Sequence, residues 1–213
     1  MRITSAFVLS LVFCLGLLGT EITLESASFT PDPGTAVTIV VRGAPAGATF
    51  RWDLDGDGIY ERTSGEPQAL LTAATGLRVV RVEVIQGNTV LKRIVAGIVA
   101  DPTLGATRTV VPEDGALLVT ITVVAKVPVI APGFVEDVPT GFALEVVAEG
   151  GAFWRKVEKL EAVWPVILDP GQTLSFTYRL YPLAGVDFQF SGMVSAYFQG
   201  KRVEIPIAGI LHP

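Results

Sequence analysis

Beyond residue 21 the apolar residues of this chain alternate with polar ones and never hold a helical spacing over the length of a helix. Successive side chains of a strand point to opposite faces, so this alternation predicts half-buried β-strands. In 35–41 (TAVTIVV) Val37, Ile39 and Val41 share one face, and in 77–84 (LRVVRVEV) Val80, Val82 and Val84 face a core while Arg81 and Glu83 face water. The same pattern puts Leu117, Val119, Ile121 and Val123 on one side of 116–123, and Leu174, Phe176, Tyr178 and Leu180 on one side of 173–181. Turn signals separate the runs at Pro31-Asp32-Pro33-Gly34, Pro45-Ala46-Gly47, Gly87-Asn88, Pro112-Glu113-Asp114-Gly115 and Asp169-Pro170-Gly171. Gly, Pro, Asn and Asp each favour a turn for a distinct backbone reason. Short strands at this spacing predict an all-β fold of antiparallel sandwiches.

A join is predicted at Ala100-Asp101-Pro102, because proline cannot donate to a ladder and stiffens the chain where one strand run ends and the next begins. It divides the chain into sandwiches over 21–100 and 101–213, each long enough for its own core, with no sheet crossing between them. No Ser/Gly linker separates the two, which predicts a semi-rigid tandem.

The first 20 residues are of another kind. Met1-Arg2 gives a short positive start, 6–18 (AFVLSLVFCLGLL) is an apolar run too short to span a bilayer, and Gly19-Thr20-Glu21 turns polar. This predicts a signal peptide over 1–20, cleaved near Gly19 to Glu21, and a secreted, periplasmic or cell-surface protein with no membrane span after cleavage. Cys14 reads as an apolar residue of that run, since Phe13 stands where lipid attachment requires a small residue. Without the segment the chain has no cysteine, so it is held together by core burial or bound ions rather than disulfides. Half of the residues are apolar, which excludes disorder, and a formal net charge of −5 offers no field for a phosphate backbone, which excludes nucleic acid as a partner.

Two stretches carry resemblances. Phe50-Arg51-Trp52-Asp53-Leu54-Asp55-Gly56-Asp57-Gly58, preceded by a Pro-Gly turn and a Val-rich strand and followed by 77–84, resembles the polycystic-kidney-disease (PKD) family of immunoglobulin-like domains over nearly all of 22–100. The likeness implies that Trp52 is a core residue of the third strand and that the Asp/Gly string is a loop. The second region is similar to conserved-repeat immunoglobulin-like modules of bacterial surface proteins. Its matching segments are 116–125, Val135-Glu136-Asp137-Val138-Pro139-Thr140-Gly141-Phe142, and 168–178 (LDPGQTLSFTY). It departs from them at Lys126-Val127-Pro128, where those modules carry Asn-x-Gly. Such modules are stalks, spacers or adhesion domains, and the resemblance implies no chemistry.

The sharpest constellation is Asp53-x-Asp55-x-Asp57-Gly58 with Glu61. Carboxylates at loop positions 1, 3 and 5 converge on one hard cation, Gly at 6 makes the turn, and Glu61 falls at 9, so Asp53, Asp55, Asp57 and Glu61 form a candidate calcium site. Position 12 is Ser64, which excludes a helix-loop-helix site, and the alternative is a solvated hairpin tip. Trp154 and Trp164 flank Arg155 to Ala162 (RKVEKLEA); they are expected in the second core, with the charged segment a solvated hairpin or one helical turn, although exposed aromatics there could instead stack on sugars. For catalysis the only histidine, His212, is penultimate, and neither a metalloprotease motif nor a phosphate loop is present. The sequence therefore predicts a non-catalytic binding, adhesion or structural module of a bacterial envelope or surface. It needs no cofactor beyond the possible calcium, and its partner is an envelope protein or a polysaccharide. The alternatives are an accessory subunit that positions a partner in a secretion, pilus or extracellular hydrolase assembly, and a carboxylate-dependent glycosidase.

Overall fold

The computed structural model describes residues 21–113, 115–182, 186 and 188–212, the side chain of His212 excepted. The predicted signal peptide, with Cys14, lies outside the described residues, as does Asp114 of a predicted turn. In chain order the first region contributes β1 (Thr23–Ser26), β2 (Ala36–Arg42), β3 (Thr49–Asp53), β4 (Arg62–Ser64), β5 (Gln68–Thr72), β6 (Gly76–Gln86) and β7 (Thr89–Ala100). The second contributes β8 (Leu104–Glu113), β9 (Ala116–Ala125), β10 (Val129–Asp137), β11 (Ala143–Ala148), β12 (Phe153–Lys156), β13 (Lys159–Val163), β14 (Ile167–Leu168), β15 (Thr173–Tyr181), β16 (Ser191–Phe198), β17 (Lys201–Pro206) and β18 (Ala208–His212). The fold is all-β, and the alternating runs named above fall on β2, β6, β9 and β15.

In the first region a three-stranded sheet, β1-β2-β5, packs on the strands β4-β3-β6-β7. This is an immunoglobulin-like division of seven strands, with the fourth on the second sheet. Val37, Ile39, Val41 and Leu71 of the smaller sheet share one buried cluster with Phe50, Trp52, Val80, Val82, Val84 and Ile94 of the larger. Trp52 is fully buried, as the resemblance implied. Truncating a buried aromatic of this size costs about 3 to 5 kcal/mol, which makes Trp52 a principal anchor of this core.

In the second region the sheet β12-β13-β10-β16-β17, with β14 also on β10, packs on β11-β15-β9-β8. Val119, Ile121, Phe176 and Tyr178 are buried here as expected, against Phe134, Leu160 and Val194. Trp164 is a core residue too, its ring 5.9 Å from that of Phe134 and its Nε1 donating to the Gly150 carbonyl at 3.0 Å. Trp154 departs from expectation. It is 41% exposed, because β12 is an edge strand where only the ring's inner side reaches Phe176, and its Nε1 donates outward to Glu149 at 2.7 Å. The charged segment beside it is the tight hairpin β12–β13.

The expectation that no sheet crosses the join fails. The final strand β18 returns to lie between the regions, antiparallel to β7 (Ile210 opposite Ala96) and parallel to β8 (Ala208 opposite Thr107), which makes one nine-stranded sheet, β11-β15-β9-β8-β18-β7-β6-β3-β4. A five-residue strand reading AGILH has too little alternation to signal this. Gly209 permits it: its φ is +105°, and a Cβ there would strike the Arg108 carbonyl oxygen. Asp101-Pro102 is still a turn, with Asp101 Oδ1 accepting the amides of Thr103 and Leu104 at 2.7 and 3.0 Å. The two apolar clusters also stay distinct, with Phe29 packed against both. Lys126 fastens the join from the second region. Its Nζ donates to the Pro31 carbonyl, Asp32 Oδ1 and the Asp101 carbonyl at 2.9, 2.9 and 2.8 Å, which uses all three ammonium protons.

Candidate functional site

The structure brings the four predicted ligands together at the end of β3: one carboxylate oxygen from each of Asp53, Asp55, Asp57 and Glu61 lies within 4.8 Å of the others. The loop's own donors already engage every one of these carboxylates. Asp53 Oδ1 accepts the Gly56 amide at 2.6 Å, and Oδ2 accepts the Gly58 amide at 3.0 Å and Arg81 Nη1 at 2.7 Å. Asp55 Oδ1 takes the Asp57 amide, Asp57 Oδ1 the Ile59 amide and Glu61 Oε2 the Leu54 amide. Arg81 Nη1 also donates to the Gly56 carbonyl at 2.6 Å. Gly56 has φ +81°, and a Cβ there would sit 2.9 Å from the Val79 carbonyl oxygen, so the loop folds tightly onto β6 only with glycine at this place.

These contacts test the fit of a cation. A carboxylate offers about four lone-pair directions, and three of those on Asp53 are taken. Burial pushes the Asp53 carboxyl up, but the Arg81 guanidinium and the amides of Gly56 and Gly58 outweigh it and hold the group below its usual value. Its charge is thus already balanced by Arg81. Ser64, at loop position 12, turns away to the Glu66 backbone. Asp55, Asp57 and Glu61 are exposed, and each has one oxygen facing an amide.

Next to this loop, on the outer face of the same strands, Glu83 was expected in water but is only 5% exposed. Arg51 on β3 and Arg93 on β7 stand in register on either side of it and bond its two oxygens at 3.1 and 2.8 Å. The Arg93 hydrogen bond is the largest influence and outweighs burial, holding the Glu83 carboxyl below its usual value. Arg51 in turn lies over the Tyr60 ring, 4.4 Å from its centre.

Sequence reasoning missed a second polar centre, in the core of the other sandwich. Arg108 of β8 reaches Glu136 of β10 through Nε at 2.8 Å and Nη2 at 2.6 Å, with both side chains at most 1% exposed. Tyr178 donates to the same carboxylate at 3.3 Å, and the Phe190 ring lies 4.8 Å from the guanidinium carbon. Arg108 Nη1 is buried with no hydrogen-bond partner. Burial pushes Glu136 up, and the Arg108 fork offsets that only in part; burial raises the Tyr178 phenol further, well above its usual value. The missed signal was one of phase: Arg108 alternates with Ala106, and Glu136 with Phe134, on the inward faces of their strands.

The outward face of the six-stranded sheet carries a groove of about 490 Å3. Phe153, Val163, Gly133 and Ser195 form one outward row across β12, β13, β10 and β16, with Arg155 and Glu161 in the next row and Tyr197 opposite Arg202 beyond. Phe153 is 72% exposed and Tyr197 49%.

No family model matches the chain, and no curated protein matches it. Among solved structures it is similar to the full-length major pilin SpaD of Corynebacterium diphtheriae, at 13% identity and a TM-score of 0.41, over 76% of this chain and 60% of that one. It is also similar to the C-terminal domain of the AgI/II polypeptide BspA of Streptococcus agalactiae, at 10% identity and a TM-score of 0.33, over 91% of this chain and all of that one. A third likeness is to an exo-β-N-acetylglucosaminidase of Vibrio harveyi, at 8% identity and a TM-score of 0.35, over 49% of this chain and 17% of that one. The chain spans about 60% of the pilin's length, and at such identities and scores nothing about ligand or activity transfers from any of the three.

Proposed function

We propose that the protein is an exported, non-catalytic structural and binding module of a bacterial envelope or surface, built to hold its two sandwiches at a fixed orientation. The observation that carries this reading is the join: β18 completes a continuous sheet between the regions, and Lys126 reaches across it to the Pro31 carbonyl and Asp32 while also holding the Asp101 carbonyl at the join itself. A spacer or adhesion domain must keep its two ends in register under load, and hydrogen-bonded strands do that better than a linker. The predicted leader supports the compartment, and the PKD-like loop supports an immunoglobulin-like surface module.

For the acidic loop the proposed role is a hydrogen-bonded cap on the first sandwich, with Arg81 balancing the buried Asp53 and backbone amides holding the exposed Asp55, Asp57 and Glu61, so that calcium is not required for folding. Fractionation of the native host, with mass spectrometry of the N-terminus, tests the reading. The chain is expected in the envelope or the medium, starting near Gly19 to Glu21. A cytoplasmic protein still beginning at Met1 overturns it.

A further inference from the structure

The outer groove of the second sandwich has a chemistry of its own. Its floor is Gly133 and Ser195, small residues in the middle of the sheet, and its ends are raised by the exposed rings of Phe153 and Tyr197. Those rings stand on strands three spacings apart, roughly 14 Å, which is room for more than one small ring between them. Beside the floor, β10 bulges between Ile130 and Gly133, and Ala131 there holds a φ of +49°. Bulges and strained residues of this kind re-aim a strand and gather at binding surfaces.

Two properties select the occupant. The charges balance locally: Arg155 pairs with Glu161 at 2.6 Å, and Arg202 with Glu204 at 2.6 Å, which leaves no field for an acidic polymer. The backbone of the floor is also spent, since β10, β13 and β16 are each paired on both sides, so an added peptide strand finds no ladder to join. What remains is side-chain recognition by aromatic faces and by planar or hydroxyl hydrogen-bonding groups. A sugar polymer, with apolar C–H faces and many hydroxyls, presents the complement.

We propose that this groove binds a neutral polysaccharide, with Phe153 and Tyr197 as stacking platforms and Arg155, Glu161, Ser195 and Arg202 bonding hydroxyls. The inference rests on the reading of the chain as a binding module, but not on its rigid join or its compartment, which are tested separately. The purified chain is run in affinity gels containing laminarin, xyloglucan or galactomannan, with polygalacturonate as the acidic comparison. At least one neutral polymer should retard it, and polygalacturonate should not. Phe153→Ala and Tyr197→Ala should each weaken the retardation roughly tenfold with unchanged melting temperature, both side chains being outside the core. Should one variant fail to fold, the other decides. No retardation by any of the three neutral polymers overturns the proposal, as does retardation that survives both substitutions or appears only with polygalacturonate. A dimer in sedimentation that Phe153→Ala turns to monomer overturns it too, by assigning the face to a second copy.

Discussion

Asp53–Arg81 in the first sandwich and Glu136–Arg108 in the second are the same chemical pair in two settings. Both carboxylates are fully buried, yet the balance ends on opposite sides. At Asp53 the partner stays 36% exposed, and two backbone amides share the carboxylate, so the charged form is favoured. At Glu136 the partner is buried as well, backbone donors are replaced by a 3.3 Å phenol contact, and desolvation prevails. Whether a buried carboxylate stabilises a fold thus depends on how much of its partner's hydration survives and how many fixed donors aim at it. The rim pair stabilises its sandwich. The core pair costs desolvation that the Arg108 fork offsets only in part.

The largest test of this contrast is in the core. Arg108→Ala leaves an uncompensated carboxylate and should cost about 3 to 5 kcal/mol in urea denaturation, whereas Arg108→Met combined with Glu136→Leu should lie near the parent or above it. A small effect for the single change and a large loss for the pair would reverse the contrast. At the rim, Asp53→Ala strands the Gly56 and Gly58 amides and should cost about 1 to 3 kcal/mol. Arg81→Ala should cost only about 0.5 to 1 kcal/mol, because its guanidinium is partly hydrated.

Acid sharpens the comparison. Asp53 and Glu83 are held below 3.8 and 4.5 in the folded chain, so the unfolded chain binds protons first as pH falls. Their stabilisation is therefore complete above the unfolded values and is lost as pH falls through the folded ones. Glu136, raised above 4.5, has the opposite sign: its contribution is complete below the unfolded value and is lost as pH rises through the folded one. Asp53→Asn should flatten the acid limb of a stability profile and Glu136→Gln should steepen it; parallel limbs for the two variants would contradict the assignment. The smallest expected effect is that of calcium. With Arg81 already serving Asp53, millimolar calcium should leave the melting midpoint in place, and a gain near 2.7 kcal/mol at a hundredfold excess over its dissociation constant would show a true cation site.

Much of the fold was legible because each sandwich alternates cleanly: Val37, Ile39, Val80, Val82, Ile121 and Phe176 all lie where period-two patterning puts them. The acidic loop was legible as a cluster, since its members are close in sequence. Its counter-ion was not, because Arg81 is 28 residues away from Asp53 and reads as an ordinary outward strand residue. Glu83 misled for the same reason, as alternation assigns a face but not what covers it. Arg108 and Glu136 could have been noticed as charges on apolar phases, though their pairing across sheets has no local signal. The sheet crossing the join depends on β18, whose partners are over 100 residues earlier in the chain, and Lys126 looked only like a departure from a turn pattern.

The proposal of a rigid join is most directly tested by a distance distribution between spin labels on the two sandwiches. In a Cys14→Ser background the chain has no other cysteine, so Glu66→Cys and Glu158→Cys label one exposed site on each region. The join predicts a single narrow distance that broadens when Lys126→Ala is combined with Gly209→Val. A broad or multimodal distribution in the parent chain would contradict it.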